Sequence, residues 1–205
     1  MSIDQSDQAI AAAAEPITAD ELLARYAQGE RDFKGIQLAG ADLREASLGS
    51  IDLSRADLMG INLSNATLQN VNLSEANLAG ANLENVNLFG AFLSGANLSQ
   101  AVLTAANLTE ADLSGALLVQ ADLQEALLHL TCFSEANLQG ANLVDAKMGG
   151  ARLWKANLCE ANLQGADLSD VNLCEANLCG ANLDAADTSE CVLTGATMPP
   201  GNVHD

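Results

Sequence analysis

A repeat of five residues runs through most of this chain, from Phe33 to Met198, without a change of phase. Every fifth residue is the centre of one repeat, and 29 of the 34 centres are Leu. From Leu38 onward, the residue two places before the centre is Ala in 25 of 33 repeats, and the residue between them is Asn or Asp in 21 of 33. A strict period of this length indicates a solenoid, in which copies of one small unit stack on each other.

A period of five residues fits neither an α-helix nor a continuous β-strand, whose periods are about 3.6 and 2. It predicts a composite unit, of which Ala76-Asn77-Leu78-Ala79-Gly80 is a clear example. The first three residues form an extended piece whose Ala and Leu side chains point to the same side. The last two residues turn the chain, and Gly permits the positive φ that tight turns require. If every piece turns the same way, Ala and Leu line an axis and successive coils pair as parallel strands about 4.8 Å apart.

This Ala-(Asp/Asn)-Leu-x-x pattern resembles the repeat of the pentapeptide repeat family, over about 170 of the 205 residues. The resemblance implies an all-β fold, a right-handed quadrilateral parallel β-helix with four repeats in each coil. Neither the four faces nor the handedness follows from the period itself. With four repeats per coil, the chain would form a rod roughly 40 Å long. Its Leu-, Ala- and Asn-rich regularity is similar to that of cyanobacterial members.

The chain divides into four segments by its pattern. We expect a flexible tail over residues 1–16, a capping helix over residues 17–30, the repeat β-helix over residues 31–200, and a C-terminal tail over residues 201–205. Pro199-Pro200-Gly201 ends the ladder, because proline cannot donate a backbone hydrogen bond to it.

The predicted helix has recognisable ends. Thr18 is the expected N-cap, with Glu21 completing a capping box, and Gly29 is the expected residue after the C-terminus. We expect the helix to cover the open end of the solenoid, which would otherwise expose core and unpaired backbone; a partner-binding helix is the alternative. Its predicted apolar face comprises Leu22, Leu23 and Tyr26.

Charge and composition narrow the function. The formal net charge of −19, from 27 acidic and 8 basic residues, argues against nucleic acid as a ligand. No apolar run reaches the roughly 18 residues expected of a transmembrane helix. Because the N-terminus lacks a basic segment followed by an apolar one, we expect a cytoplasmic protein.

No catalytic or metal-binding motif is recognisable. The only histidines are His129 and His204, no cysteines have metal-ligand spacing, and a convex rod offers no deep cleft. We therefore expect no enzymatic activity, no cofactor and no metal. We expect the five cysteines to be free thiols, with Cys191 in the core and exposed thiols at Cys132 and Cys174. Cys159 and Cys179 would stack on adjacent coils, and whether they form a disulfide stays open.

Apolar side chains replace polar ones at several outward positions of the repeat, and a contiguous exposed apolar surface indicates an interface. We hypothesise a non-enzymatic scaffold that presents rigid flat faces to a protein partner. A homodimer through the C-terminal end or through this apolar patch is compatible with it. The apolar patch comprises Phe89, Phe92, Leu127, His129, Leu130 and Trp154.

The alternative rests on acidity, which is concentrated in the second half of the chain. Asp167 would stack on Asp187, and Asp170 on Glu190, to form an acidic face. The family resemblance implies that such a rod can mimic duplex DNA, since some members bind DNA gyrase and protect it from quinolones. A solvated acidic surface that keeps the rod soluble is the other explanation.

The basic residues of the repeats are expected to be structural, because each would neutralise an acidic side chain in an adjacent coil. The predicted pairs are Arg55 with Glu75, Lys147 with Asp167, and Lys155 with Glu135 and Glu175.

Overall fold

Each repeat contributes one residue to a parallel ladder. That residue pairs with its equivalent twenty positions later in the chain. In the computed structural model, which describes residues 17–199, these pairs run from Asp32 with Asp52 to Asn177 with Thr197. Four repeats therefore complete one coil of a right-handed quadrilateral parallel β-helix, as the family resemblance implied. The tails predicted over residues 1–16 and 201–205 lie outside the described residues. The faces are named by their first two paired residues: face 1, Asp32 and Asp52; face 2, Gln37 and Asp57; face 3, Asp42 and Asn62; face 4, Ser47 and Thr67.

The backbone of each repeat is satisfied mainly by its neighbouring coils. The Leu53 N–H donates to Asn72 O (2.7 Å), the Asn72 N–H donates to Ile51 O (3.0 Å), and the Arg55 N–H donates to Ser74 O (2.9 Å). Because turns bound each extended piece on both sides, pairing in residues 31–199 is by single residues rather than by longer strands. Each coil is therefore held by many short contacts to the coils above and below it.

Leu and Ala side chains point inward and form one continuous aliphatic core, as predicted. Leu58, Leu108 and Ala106 are completely buried, as are most of their equivalents. Each buried Leu contributes about 1.5–3 kcal/mol. Polar inward side chains find a carbonyl one coil below: Thr131 Oγ1 donates to Leu108 O (2.8 Å), and Cys191 Sγ donates to Leu168 O (3.0 Å).

Each repeat between residues 31 and 195 ends in a two-residue turn whose last residue has positive φ. These residues recur from Gly35 to Gly195 with φ between 54° and 74°, and 21 of them are not Gly. Their side chains extend along the rod axis toward the same turn of the next coil: Arg55 Nε donates to Glu75 Oε2 across 3.0 Å, and Gln100 Nε2 donates to Gln120 Oε1 across 3.4 Å. Stacking at the edges is therefore directional, from each coil to the one that follows.

One helix, α1 (Ala19–Ala27), precedes the coils and covers their first turn. Its N-terminus is capped by Thr18, whose Oγ1 accepts the Glu21 N–H at 3.1 Å. The predicted span of 17–30 is longer than α1 because its outer residues are caps, including Gly29 with φ of 98°. None of the helical structure in residues 17–199 has the length and apolarity needed to cross a bilayer.

The buried face of α1 is narrower than predicted. Leu22 is completely buried and Tyr26 is half-buried, but Leu23 is 37% exposed. The prediction that Leu23 shares this face is wrong, because residues 22 and 26 are one helical turn apart whereas residue 23 lies about 100° around the axis. Tyr26 Oη donates to Gly49 O at 2.9 Å, which ties α1 to the end of the first coil.

The other end of the rod is less covered. In the last described coil, Leu183, Leu193 and Met198 are only partly buried. Thr188 occupies an inward Leu position and is exposed. Two of the four inward Leu positions of this coil are occupied by other residues, Thr188 and Met198, where the side chains are incompletely buried.

Candidate protein-binding surface

The outward residue of each extended piece has a structural role whenever it is Asn or Asp. The Asn72 Oδ1 accepts the backbone N–H of Ser74 at 3.1 Å, which supports the turn. Asn side chains also bond along the rod, as when Asn157 Nδ2 donates to Asn137 Oδ1 across 3.0 Å. Departures from Asn and Asp at this position therefore forgo local bonds, and they indicate where the surface serves another purpose.

Most residues of the apolar patch reach solvent. Phe92 and Leu130 are each 53% exposed, Leu127 is 41% exposed and Trp154 is 37% exposed. Phe89 and His129 are half-buried. The exposed aromatic and aliphatic area is available to a partner without any rearrangement of the core.

The residues of the apolar patch lie in two separate groups rather than on one contiguous surface. Leu127, His129 and Leu130 follow one another around the edge between faces 4 and 1. Phe89 and Phe92 occupy the same edge two coils earlier, and Trp154 lies at the next edge, between faces 1 and 2. The coil between the two groups contributes polar side chains: Thr109, Glu110 and Asp112.

Two glycines let the second group lie close to the following coil. A Cβ at Gly150 would approach Leu130 Cδ2 to 2.9 Å, and one at Gly149 would approach His129 Nδ1 to 3.3 Å. Leu130 itself has φ of 57°, a conformation that costs a non-glycine residue about 1–2 kcal/mol. This edge therefore keeps a leucine that is both exposed and conformationally unfavourable.

Two further exposed apolar side chains of the middle coils were not among the predicted binding residues. Leu117 on face 2 is 44% exposed and Val102 on face 3 is 39% exposed. The available signal was the same in both cases, since each replaces the Asn or Asp of the repeat at its outward position.

The acidic face is arranged as stacked carboxylates. Asp167 pairs with Asp187 in the ladder, and Asp170 and Glu190 occupy equivalent positive-φ turn positions. Hydrogen bonds from Ser169 lower the pKa of Asp167, and the nearby His129 and Lys147 lower it further. Bonds from Ser189 lower the pKa of Asp187 although Asp167 opposes this. Both carboxylates are therefore ionised at neutral pH.

Only two of the predicted ion pairs between adjacent coils are formed in the part of the chain that the structure describes. Arg55 pairs with Glu75 at 3.0 Å, and Lys155 pairs with Glu175 at 3.5 Å while its ammonium lies 4.3 Å from the Trp154 ring centroid. Over residues 17–199, neither Lys155 with Glu135 nor Lys147 with Asp167 comes within the 4.0 Å of an ion pair. Arg152 and Lys147 are both exposed and border the apolar patch.

All five cysteines are free thiols. The expectation that Cys132 is exposed is wrong, since it is only 9% exposed and lies 3.1 Å from Ser114 Oγ. Burial raises the pKa of Cys132, but hydrogen bonds involving Ser114, Ser134 and Arg152 outweigh burial and lower it. Across the described coils, no group of three or more His, Cys, Asp or Glu side chains is arranged to hold a metal ion.

Comparison with known families assigns the class of protein. The sequence profile of pentapeptide repeats matches eight copies between residues 32 and 198, which together span the coils. The chain belongs to the pentapeptide repeat family.

Particular relatives are found among solved structures. HetL, a pentapeptide repeat protein involved in heterocyst differentiation regulation in the cyanobacterium Nostoc sp. strain PCC 7120, is 33% identical; the match covers 92% of this chain and 100% of HetL, with a TM-score of 0.41. QnrB1, a plasmid-mediated fluoroquinolone resistance protein, is 17% identical over 82% of this chain and 91% of QnrB1, with a TM-score of 0.59, and shows the shared fold. A pentapeptide repeat protein of the Arabidopsis thaliana thylakoid lumen is 30% identical over 51% of this chain and 69% of its own, with a TM-score of 0.30. The comparison with curated proteins finds no match.

Proposed function

We propose that this protein is a non-enzymatic scaffold of the cytoplasm that binds a protein partner through the apolar patch. The observation that carries the proposal is the exposure of Phe92, Leu127, Leu130 and Trp154 around two neighbouring edges of the rod. Large aromatic and aliphatic side chains of this kind are typical anchors of protein interfaces.

Two residues of the patch depart from the residue types that suit their positions in the repeat. Phe92 takes an outward position where Asn or Asp would bond to the following turn. Leu130 takes a turn position with positive φ, where Gly or Asn would be less strained. Residues that break local rules without a structural gain are expected at functional surfaces.

The charges around the patch indicate the chemistry of the partner. Lys147 and Arg152 are exposed beside Leu127 and Leu130, although the chain as a whole carries a net charge of −19. A partner surface with apolar side chains, acidic groups opposite Lys147 and Arg152, and basic groups opposite Glu110 and Asp112 would complement this arrangement, since complementary charges orient and select partners.

A comparison of two surface variants tests the proposal. The patch variant carries Phe92→Ser, Leu130→Asn and Trp154→Ser, and the control carries Met59→Ser and Val102→Asn, which are also exposed apolar positions. Each is used as bait in the native host extract, and captured proteins are quantified against wild type. We expect one protein to be captured by wild type and control but at least tenfold less by the patch variant. Equal capture by all three baits would contradict the proposal.

The same variants test self-association. Sedimentation velocity over a range of concentrations reports the oligomeric state. If the patch joins two copies, the patch variant is monomeric where wild type and control are dimeric. If all three form the same dimer, another surface, such as the less covered C-terminal end, makes the contact.

A second candidate is regulation of DNA gyrase by DNA mimicry, and the stacked carboxylates of Asp167 and Asp187 favour it. Both pKa values are lowered, so the charges are present at neutral pH. A supercoiling assay with gyrase, with and without a quinolone, separates the candidates. Inhibition or drug protection that is lost with Asp167→Asn and Asp187→Asn would favour mimicry, and no effect of the wild-type protein would favour the scaffold.

A further inference from the structure

Two cysteines occupy the same turn position in adjacent coils. Cys159 and Cys179 are twenty residues apart, and the neighbouring Glu160 N–H donates to Cys179 O at 2.8 Å. Cys179 is exposed, Cys159 is half-buried, and the two are not bridged. None of the other three cysteines is stacked on a thiol: Cys132 pairs with Asp112 and Arg152, Cys174 is flanked along its edge by Trp154 and Thr194, and Cys191 points into the core.

The surroundings of the Cys159 thiol raise its pKa above the ordinary value. Burial raises the pKa of Cys159, and the charge and hydrogen bonding of Cys179 raise it further, together with Glu160. Glu160 extends along the axis toward Gly180, so that its Cγ would lie 3.6 Å from a Cβ at that glycine. An accessible pair of thiols thus lies beside a carboxylate that attracts cations.

The spacing of the coils suits a metal ion held between two sulfur atoms. A metal–thiolate bond is about 2.3 Å, so two such bonds in line span about 4.6 Å, close to the strand spacing of about 4.8 Å. A disulfide requires the sulfurs to approach to about 2.05 Å, and two parallel side chains would have to lean together. Zinc usually takes four ligands, which this surface does not supply. Soft monovalent ions such as Cu(I) prefer thiolates and are satisfied by two of them in line.

We propose that Cys159 and Cys179 form a two-coordinate site for a soft monovalent metal ion, Cu(I). Binding breaks both S–H bonds and forms two Cu–S bonds, and the two protons are released to solvent. No atom changes oxidation state, so no oxidant or reductant takes part. The site lies apart from the apolar patch and does not depend on the proposed scaffold function.

Cysteine-to-serine variants test the site. Reduced protein is titrated without oxygen into Cu(I) held by bicinchoninate, and loss of the coloured complex reports transfer. We expect wild type and the matched control Cys174→Ser to withdraw one Cu(I) per chain with equal affinity, and Cys159→Ser and Cys179→Ser to bind at least 100-fold more weakly. Serine is compatible with this turn column because Ser99 already occupies it. Equal binding by all four proteins, or none by wild type, would overturn the proposal.

A gain-of-site variant tests the geometry itself. Trp154→Cys places a thiol one coil below Cys174 at the same turn position, and we expect it to withdraw a second Cu(I) per chain. A single Cu(I), as in wild type, would show that stacking on this edge does not create a site. If oxidised glutathione closes a Cys159–Cys179 disulfide and the reduced protein takes no Cu(I), the pair is a redox pair and the proposal is wrong.

Discussion

At the scale of single residues, two positions of the repeat explain most of its sequence. The outward Asn or Asp accepts the N–H of the turn, as Asn72 does from Ser74, and Asn can also donate to the coil below. The last residue of the turn has positive φ and points its side chain at the next coil. These positions explain why Gly, Asn, Asp and Glu recur outside a core of Leu and Ala.

Two glycines separate the effect of backbone conformation from that of packing. Gly60 has φ of 64° with nothing near its missing Cβ, whereas a Cβ at Gly150 would lie 2.9 Å from Leu130 Cδ2. We expect Gly60→Ala to lower the free energy of unfolding by about 1 kcal/mol. We expect Gly150→Ala to lower it somewhat more, by about 1–2 kcal/mol, because the exposed Leu130 side chain must also change rotamer to make room for the new Cβ.

A double-mutant cycle monitored by urea denaturation checks this explanation. Adding Leu130→Gly should reduce the cost of Gly150→Ala to that of Gly60→Ala, since the clash is then absent. A cost of Gly150→Ala that does not change in the Leu130→Gly background would contradict the contact.

At the scale of the element, α1 is a cap whose influence should be local. It buries Leu22 completely and is held to the first coil by the hydrogen bond of Tyr26 to Gly49. Because each coil contacts only its neighbours, the stability of a solenoid is close to a sum of local terms. The first coil depends on α1, and coils in the middle of the rod do not contact it.

Leu22→Ala tests this locality. Loss of a buried Leu costs about 2–5 kcal/mol, and here the cost should appear at the end of the rod. Amide hydrogen exchange should accelerate over residues 31–50 and remain unchanged over residues 91–170. Leu23→Ala is the matched control, because Leu23 is exposed. Uniform acceleration along the whole chain after Leu22→Ala would show that the coils unfold as one unit instead.

At the scale of the whole molecule, much of the fold was predictable because one pattern repeats. The period identifies the inward residues and the turns, and the structure confirms both. The period alone does not give four faces, since any constant turning angle preserves a five-residue unit; the family resemblance supplied that number. The amino-acid composition predicted less of the fold than the constant five-residue spacing of the Leu residues did.

Features that depend on neighbours in adjacent coils were less predictable. Cys132 occupies an outward position but is covered, and its thiol contacts Ser114 and Ser134. The prediction for Leu23 failed for a different reason, since Leu23 lies about 100° around the helix axis from the buried Leu22. The residues of the apolar patch were recognisable in the sequence as departures from the repeat. Their separation by Glu110 and Asp112 could be recognised only once the length of one coil, twenty residues, was known.

The most direct test of the twenty-residue coil is a pair of distances measured along one edge of the rod. In a background without native cysteines, spin labels are placed at Arg44 and Gln124 in one protein and at Arg44 and Gln164 in another. These positions share a turn column, four and six coils apart, so the backbone separations should be about 19 Å and about 29 Å. Pulsed electron paramagnetic resonance should show the second distance longer by about 10 Å, whatever the label geometry. Equal distances, or a difference that does not correspond to two coils, would contradict the twenty-residue coil and every surface drawn from it.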